Sequence, residues 1–102
     1  MTTKEEVLQQ ISTIIDPEVG YNLVDLGLIY EVDISDDGTM VIVTMTLSTR
    51  GCPLHQMMVE WVEAAVLRCE GVIKCMVQVV WEPAWAIEKS APHVQKALGS
   101  WM

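Results

Sequence analysis

Cysteine, aspartate and histidine are the side chains here that could bind a metal or attack an electrophile, and a few of them stand in unusual places. In "TLSTRGCPLHQMMVEW" (46–61), Cys52 sits where a β-prone run gives way to a helix. Pro53 suits the first turn of that helix, where its missing N–H costs nothing. Cys52 therefore falls at about the N-cap, beside unpaired N–H groups and the positive end of the helix dipole. Such a setting favours the thiolate, which is both the nucleophile and the metal ligand. Serine, threonine, asparagine and aspartate are the usual caps, so cysteine here points to chemistry more than to capping. Reaction, metal binding and packing all stay open. His55, three residues on, could contact or protonate the thiolate, although a solvated surface histidine is the simpler account.

Carboxylates form the second group: Asp16, Glu18 and Asp25, in and around the glycine-containing loop "PEVGYNLVDLGL". Loop carboxylates are usually caps or solvated groups, but Asp25 lies between hydrophobic residues at the approach to a core strand. A partly buried carboxylate needs donors, from a helix start or from the hydroxyls of Thr46, Ser48 and Thr49. Spacing alone does not bring Asp25 to Cys52. The other cysteines, Cys69 and Cys75, fall on apolar stripes and read as small hydrophobes. His93 lies in the tail, and no third orienting residue marks a cysteine-protease arrangement.

The elements that would position these groups are legible from periodicity. "TTKEEVLQQISTIID" places Val7, Leu8, Ile11, Ile14 and Ile15 at helical spacing, with Thr3 and Glu6 as a capping box and an end near Asp16-Pro17. "IYEVDI" and "MVIVTMTL" flank "SDDGT", a hairpin signal. A helix from Pro53 carries Leu54, Met57, Met58, Trp61, Val62, Ala65, Val66 and Cys69 on one stripe, stopped by Gly71. "VIKCMVQVVW" is a third strand, with Ile73, Cys75, Val77 and Val79 on one face. "EPAW" breaks it, and a short terminal helix carries Val94, Ala97, Leu98 and Trp101. Trp85 is either an anchor for a partner or a lid on the core. The order α-β-β-α-β plus a C-terminal helix defines an α+β domain, a small mixed sheet with helices mainly on one face.

Composition narrows the classes. The 102 residues suit one domain, 51% hydrophobic and 20% charged, hence folded. The net charge of −8, with lysines and arginines scattered, argues against nucleic acid. No apolar run approaches the roughly 18 residues of a membrane span, and "MTTKEEVLQQ" is not a signal peptide. A cytoplasmic protein is expected. Three cysteines without a C-x-x-C pair give neither a disulfide framework nor a four-thiolate site in one chain. A metal would need other ligand types or a second chain.

Taken in order, "DPEVGYNLVDLGLIYEVDI", "VTMTLSTRGCP" and "GVIKCMVQVVWEPAW" resemble the SufT- and PaaD-like family of iron–sulfur cluster assembly proteins, over roughly residues 5 to 90. The resemblance implies a small α/β domain that helps assemble or insert clusters. It places the family's reactive cysteine on Cys52 and its D-L-G-L aspartate on Asp25. Asp16, Glu18, Asn22, Thr46 and Thr49 fall on positions that support the site or hold its loop. The extra C-terminal cysteines of longer PaaD-type relatives are missing, which disfavours a phenylacetate-pathway role. With no G-K-[ST] motif, any P-loop ATPase partner is a separate protein. Arg50, next to Gly51-Cys52, is bulkier than that turn would suggest.

The leading expectation is a non-catalytic maturation factor that holds iron or a cluster transiently on Cys52, assisted by Asp25. Its partners would be the assembly machinery and client apo-proteins. The alternatives are a metal-free adaptor using the acidic surface and Trp85, and a thiol-redox protein using Cys52. A homodimer would supply two Cys52 thiolates and cover Ile42, Met76 and Val80 on the outer sheet face.

Overall fold

A computed structural model describes residues 2–16, 20–47, 55–83, 85–86 and 89–99, without the side chains of 55 and 97–99. The elements follow in the order α1 (Lys4–Ile11), β1 (Ile29–Ile34), β2 (Met40–Met45), α2 (His55–Leu67), β3 (Lys74–Val79) and α3 (Pro92–Gly99). The expected α+β order and mixed sheet are thus present. Thr3 caps α1, its hydroxyl accepting from Glu6 N at 3.2 Å. The reciprocal half of the capping box is replaced: the Glu6 carboxylate takes the Thr2 hydroxyl instead.

The first helix stops at Ile11 and does not run on to Asp16-Pro17. The Ser12 and Thr13 hydroxyls donate back to Gln9 O and Gln10 O, at 2.6 and 2.7 Å. Side chains that bond the preceding turn this way compete with helix propagation. Ile15 consequently leaves the helical stripe, pairs with Asn22 as an isolated bridge and is 50% exposed.

The sheet has the order β1-β2-β3, with β1 antiparallel and β3 parallel to β2. The hairpin between β1 and β2 turns on Gly38, at φ 73°. There the Asp37 carboxylate accepts from the Ser35 hydroxyl and from the Thr39 hydroxyl and N–H. Those donors, Ser35 foremost, hold its carboxyl down at about 2. The clasp is therefore fully present above the ordinary aspartate range and is lost only as pH falls through about 2.

Val41, Val43, Met45 and Leu47 face the core, as alternation requires, while the Ile42–Met76 and Thr44–Gln78 pairs lie on the opposite, outer face. The helix α2 packs on β3 and on α1, and α1 reaches β1, so both cover one face of the sheet. The buried stripe of α2 is Met58, Val62, Ala65, Val66, joined by Cys69 just beyond its end. Met57 and Trp61, expected on that stripe, are exposed because they sit a quarter-turn round the cylinder. Ile73 likewise falls outside β3 and is 79% exposed. Leu54 and Trp101 lie outside the described residues.

This division of α2 is testable by chemical denaturation. Met58→Ala is expected to lose about 2–5 kcal/mol, and Met57→Ala, next to it in sequence, within about 0.5 kcal/mol.

Candidate functional site

Because β2 and β3 are parallel, their C-terminal ends lie together, and the antiparallel β1 begins at that same end. The Asp25 loop before β1, residues Thr46 and Leu47 after β2, and the chain leaving β3 therefore share one end of the sheet. In open sheets, ligands gather outside the carboxyl ends of parallel strands.

The loop is built locally. Asp16 is buried; its N–H donates to Tyr21 O and its carbonyl accepts from Gly20 N, at 3.0 and 2.7 Å. Asn22 then caps a single helical turn. Its Oδ1 accepts from Asp25 N at 2.9 Å, and its carbonyl accepts from Leu26 N at 3.0 Å. Leu23, Leu26 and Leu28 face the core, which turns the Asp25 side chain outward, where it is 36% exposed.

The chain after β3 closes over this turn. Trp85 Nε1 donates to Leu26 O and Ala91 N to Asp25 O, both at 2.7 Å. Gly27, at φ 75°, meets the same segment so closely that a Cβ there would collide with the Lys89 carbonyl. Glycine is thus required twice over, by conformation and by contact. Of the two roles open to Trp85, the structure shows the lid: its indole is bonded to the loop and packed against the core.

One partner of Asp25 was not legible in the sequence. His93, in the first turn of α3, brings Nε2 to 3.1 Å from Asp25 Oδ2, with the Tyr21 ring edge-on to its imidazole. The two residues are far apart in the chain, and only the return of the C-terminal segment brings them together. No local spacing signals that contact.

Thr46 is tied to the loop through its backbone, N–H to Leu28 O at 2.9 Å. Its Oγ1 is buried and has no hydrogen-bond partner among the described residues. The adjacent Tyr30 occupies a bulge in β1, between the Ile29 and Glu31 pairings, and donates its hydroxyl to Pro83 O at 2.7 Å. Burial pushes the Tyr30 phenol up, and interaction with the Thr46 hydroxyl offsets this in part. Lys89 lies over the Tyr30 ring, 5.1 Å from its centroid.

The structure therefore groups Asp16, Asn22, Asp25 and Thr46 around one loop and adds His93. Glu18, Thr49 and Cys52 lie outside the described residues, as does the side chain of His55, whose backbone starts α2. Cys69 is buried. Cys75 is half-buried, its thiol pushed up to about 11 by burial first, then by the charges of Glu63 and Cys69. Both keep the structural roles expected for them. Among the described residues, no three His, Cys, Asp or Glu side chains converge as a metal site. Nor is any helix among them long and apolar enough to cross a membrane.

The fold and this loop define a small α+β domain whose polar groups gather at one end of a mixed three-stranded sheet. The chain belongs to the iron–sulfur cluster assembly protein family, whose model matches residues 4–79. It is 38% identical over 96 residues to the Fe-S protein maturation auxiliary factor YitW of Bacillus subtilis, covering 94% of this chain and 93% of that protein. It is 34% identical over 86 residues to the Fe-S protein maturation auxiliary factor SufT of Staphylococcus aureus, covering 84% and 97%. A conserved hypothetical protein from Thermotoga maritima superposes with a TM-score of 0.84 at 37% identity, over 96% of this chain and 95% of that one. The SufT-like resemblance read from the motifs is borne out. His93 lies beyond the residues that the family model matches.

Two outcomes follow. Gly27→Ala is expected to cost about 1–3 kcal/mol from backbone strain alone, and to speed hydrogen exchange of the Ala91 amide as the C-terminal segment lifts. Iodoacetamide at pH 7.5 is expected to leave Cys69 and Cys75 unlabelled in the folded chain, with Cys75 labelling only as pH climbs towards about 11.

Proposed function

We propose that this chain is a non-catalytic maturation factor whose Cys52 thiolate holds iron or an iron–sulfur cluster for delivery to client apo-proteins, with the Asp25 carboxylate as its neighbour. Family membership supplies the class of cargo. The observation that carries the reading is convergence. The end of β2, which runs on in sequence towards Gly51-Cys52-Pro53, is bonded through Thr46 N to Leu28 O, three residues from Asp25. The buried Thr46 hydroxyl at this end, without a hydrogen-bond partner among the described residues, supports a polar occupant, since leaving such a group unpaired costs about 1–3 kcal/mol.

The assigned roles follow from chemistry. The Cys52 thiolate binds iron, assisted by the Asp25 carboxylate; Thr46, Thr49 and His55 support them, and Asp16, Glu18 and Asn22 hold the loop. One thiolate leaves most positions open on the metal. Those would be filled by a client, by the assembly machinery, or by a second copy joined across the outer sheet face at Ile42 and Met76. Incomplete coordination suits transient holding, because a closed site would retain its cargo. An ATPase, where one is needed, is a separate protein, and the site of action is the cytoplasm. The thiol-redox alternative is less favoured: Cys69 is buried and the Cys75 thiol sits at about 11, so neither is a ready resolving thiol.

Anaerobic reconstitution with iron and sulfide, followed by desalting, tests this reading. Wild type is expected to retain iron and the absorbance of a cluster or iron–thiolate centre, and Cys52→Ser to lose both. Asp25→Asn is expected to weaken retention by about 10–100-fold, the scale seen for groups that support a metal. Equal retention by Cys52→Ser would overturn the assignment.

A further inference from the structure

Away from that loop, a groove of about 450 Å³ opens between the end of α1 and the outer side of α2. Ile14, Ile15, Trp61 and Ala64 give it apolar walls, with Trp61 37% and Ile15 50% exposed. Ala64 is small, which leaves the space between the larger side chains empty. Arg68 stands at one end. Its Nε donates to Gln10 Oε1 and its Nη2 to Thr13 Oγ1, both at 3.2 Å.

Those two bonds fix the guanidinium without neutralising it, because both acceptors are uncharged. Only part of its five-donor fork is used. No carboxylate among the described residues lies within ion-pair distance of it. The chain has 6 lysines and arginines against 14 acidic residues, so an immobilised cation beside exposed tryptophan is an exception on this surface.

We infer that this groove docks a short segment of a partner protein carrying an apolar side chain and a single carboxylate. The apolar side chain packs on Trp61 and Ile15, and the carboxylate pairs with Arg68. Trp61 and Arg68 are seven positions apart on one helix face, about 10 Å at 1.5 Å per residue. An extended partner covers that distance in about three residues. The net charge of −8 repels segments rich in acid, so the flanking residues are neutral or basic. That clients of the maturation role supply the segment rests on the function proposed above; the groove's binding chemistry does not.

The test uses a displayed library of random hexapeptides, selected on the whole chain and counter-selected on Trp61→Ala. Enriched peptides are expected to place one Asp or Glu two to four positions from an apolar residue. Asp→Asn in such a peptide is expected to weaken binding at least about tenfold on wild type, the scale of a charge-assisted hydrogen bond, and to have no effect on Arg68→Gln. Since Arg68 also ties α1 to α2, the peptide substitution carries the result if Arg68→Gln proves unstable. Enrichment without an acidic residue, binding indifferent to Trp61→Ala, or no enrichment would each overturn the inference. Iron retention measured on folded Trp61→Ala separates the two proposals. Iron held with peptide binding lost leaves both standing, and iron lost from wild type refutes the cargo role without touching the groove.

Discussion

The parallel pairing of β2 with β3 is the constraint on which the rest of this molecule depends. Parallel neighbours cannot be joined by a tight turn, so the chain must leave the end of β2, cross the sheet and return. The helix α2 is that crossover, and its buried stripe of Met58, Val62, Ala65 and Val66 seals one sheet face. The same pairing sends the exit of β2 and the exit of β3 to one end, where the antiparallel β1 begins.

The second constraint is the closure of the C-terminal segment over the Asp25 turn. Four contacts at Asp25, Leu26 and Gly27 hold it, and they come from Trp85, Lys89, Ala91 and His93. Three involve backbone atoms or a glycine that has no room for a Cβ, so the approach is set by the chain itself. The fourth presents an imidazole to a half-exposed carboxylate. A segment beyond the family match thus completes the surroundings of the aspartate within it.

Much of this was legible in the sequence because it is local. The Asp-Asp-Gly turn and the alternation of β2 each need only neighbouring residues to be read, whereas α2 ends at Leu67, short of the Gly71 stop that the sequence suggests. The structure departs from the pattern where side chains compete with it or where the buried helix face is narrower than the spacing suggests. Ser12 and Thr13 end α1 with hydroxyl bonds that hydrophobic spacing does not register. Met57 and Trp61 joined the buried stripe of α2 on spacing alone, yet face outward. For the site, the motifs singled out Asp25 and its loop, while His93 was invisible: its only link to Asp25 is tertiary. The groove at Trp61 and Arg68 is not legible for the same reason, since it exists only between two helices.

Cluster transfer tests whether Cys52 carries cargo to clients. Wild type and Cys52→Ser, matched for folding, would each be offered iron and sulfide anaerobically and then mixed with a purified apo iron–sulfur dehydratase in the presence of an iron chelator. Recovery of dehydratase activity is expected with wild type, and none above the chelator background with Cys52→Ser. Equal recovery with both would contradict that role, because the thiol would then take no part in delivery.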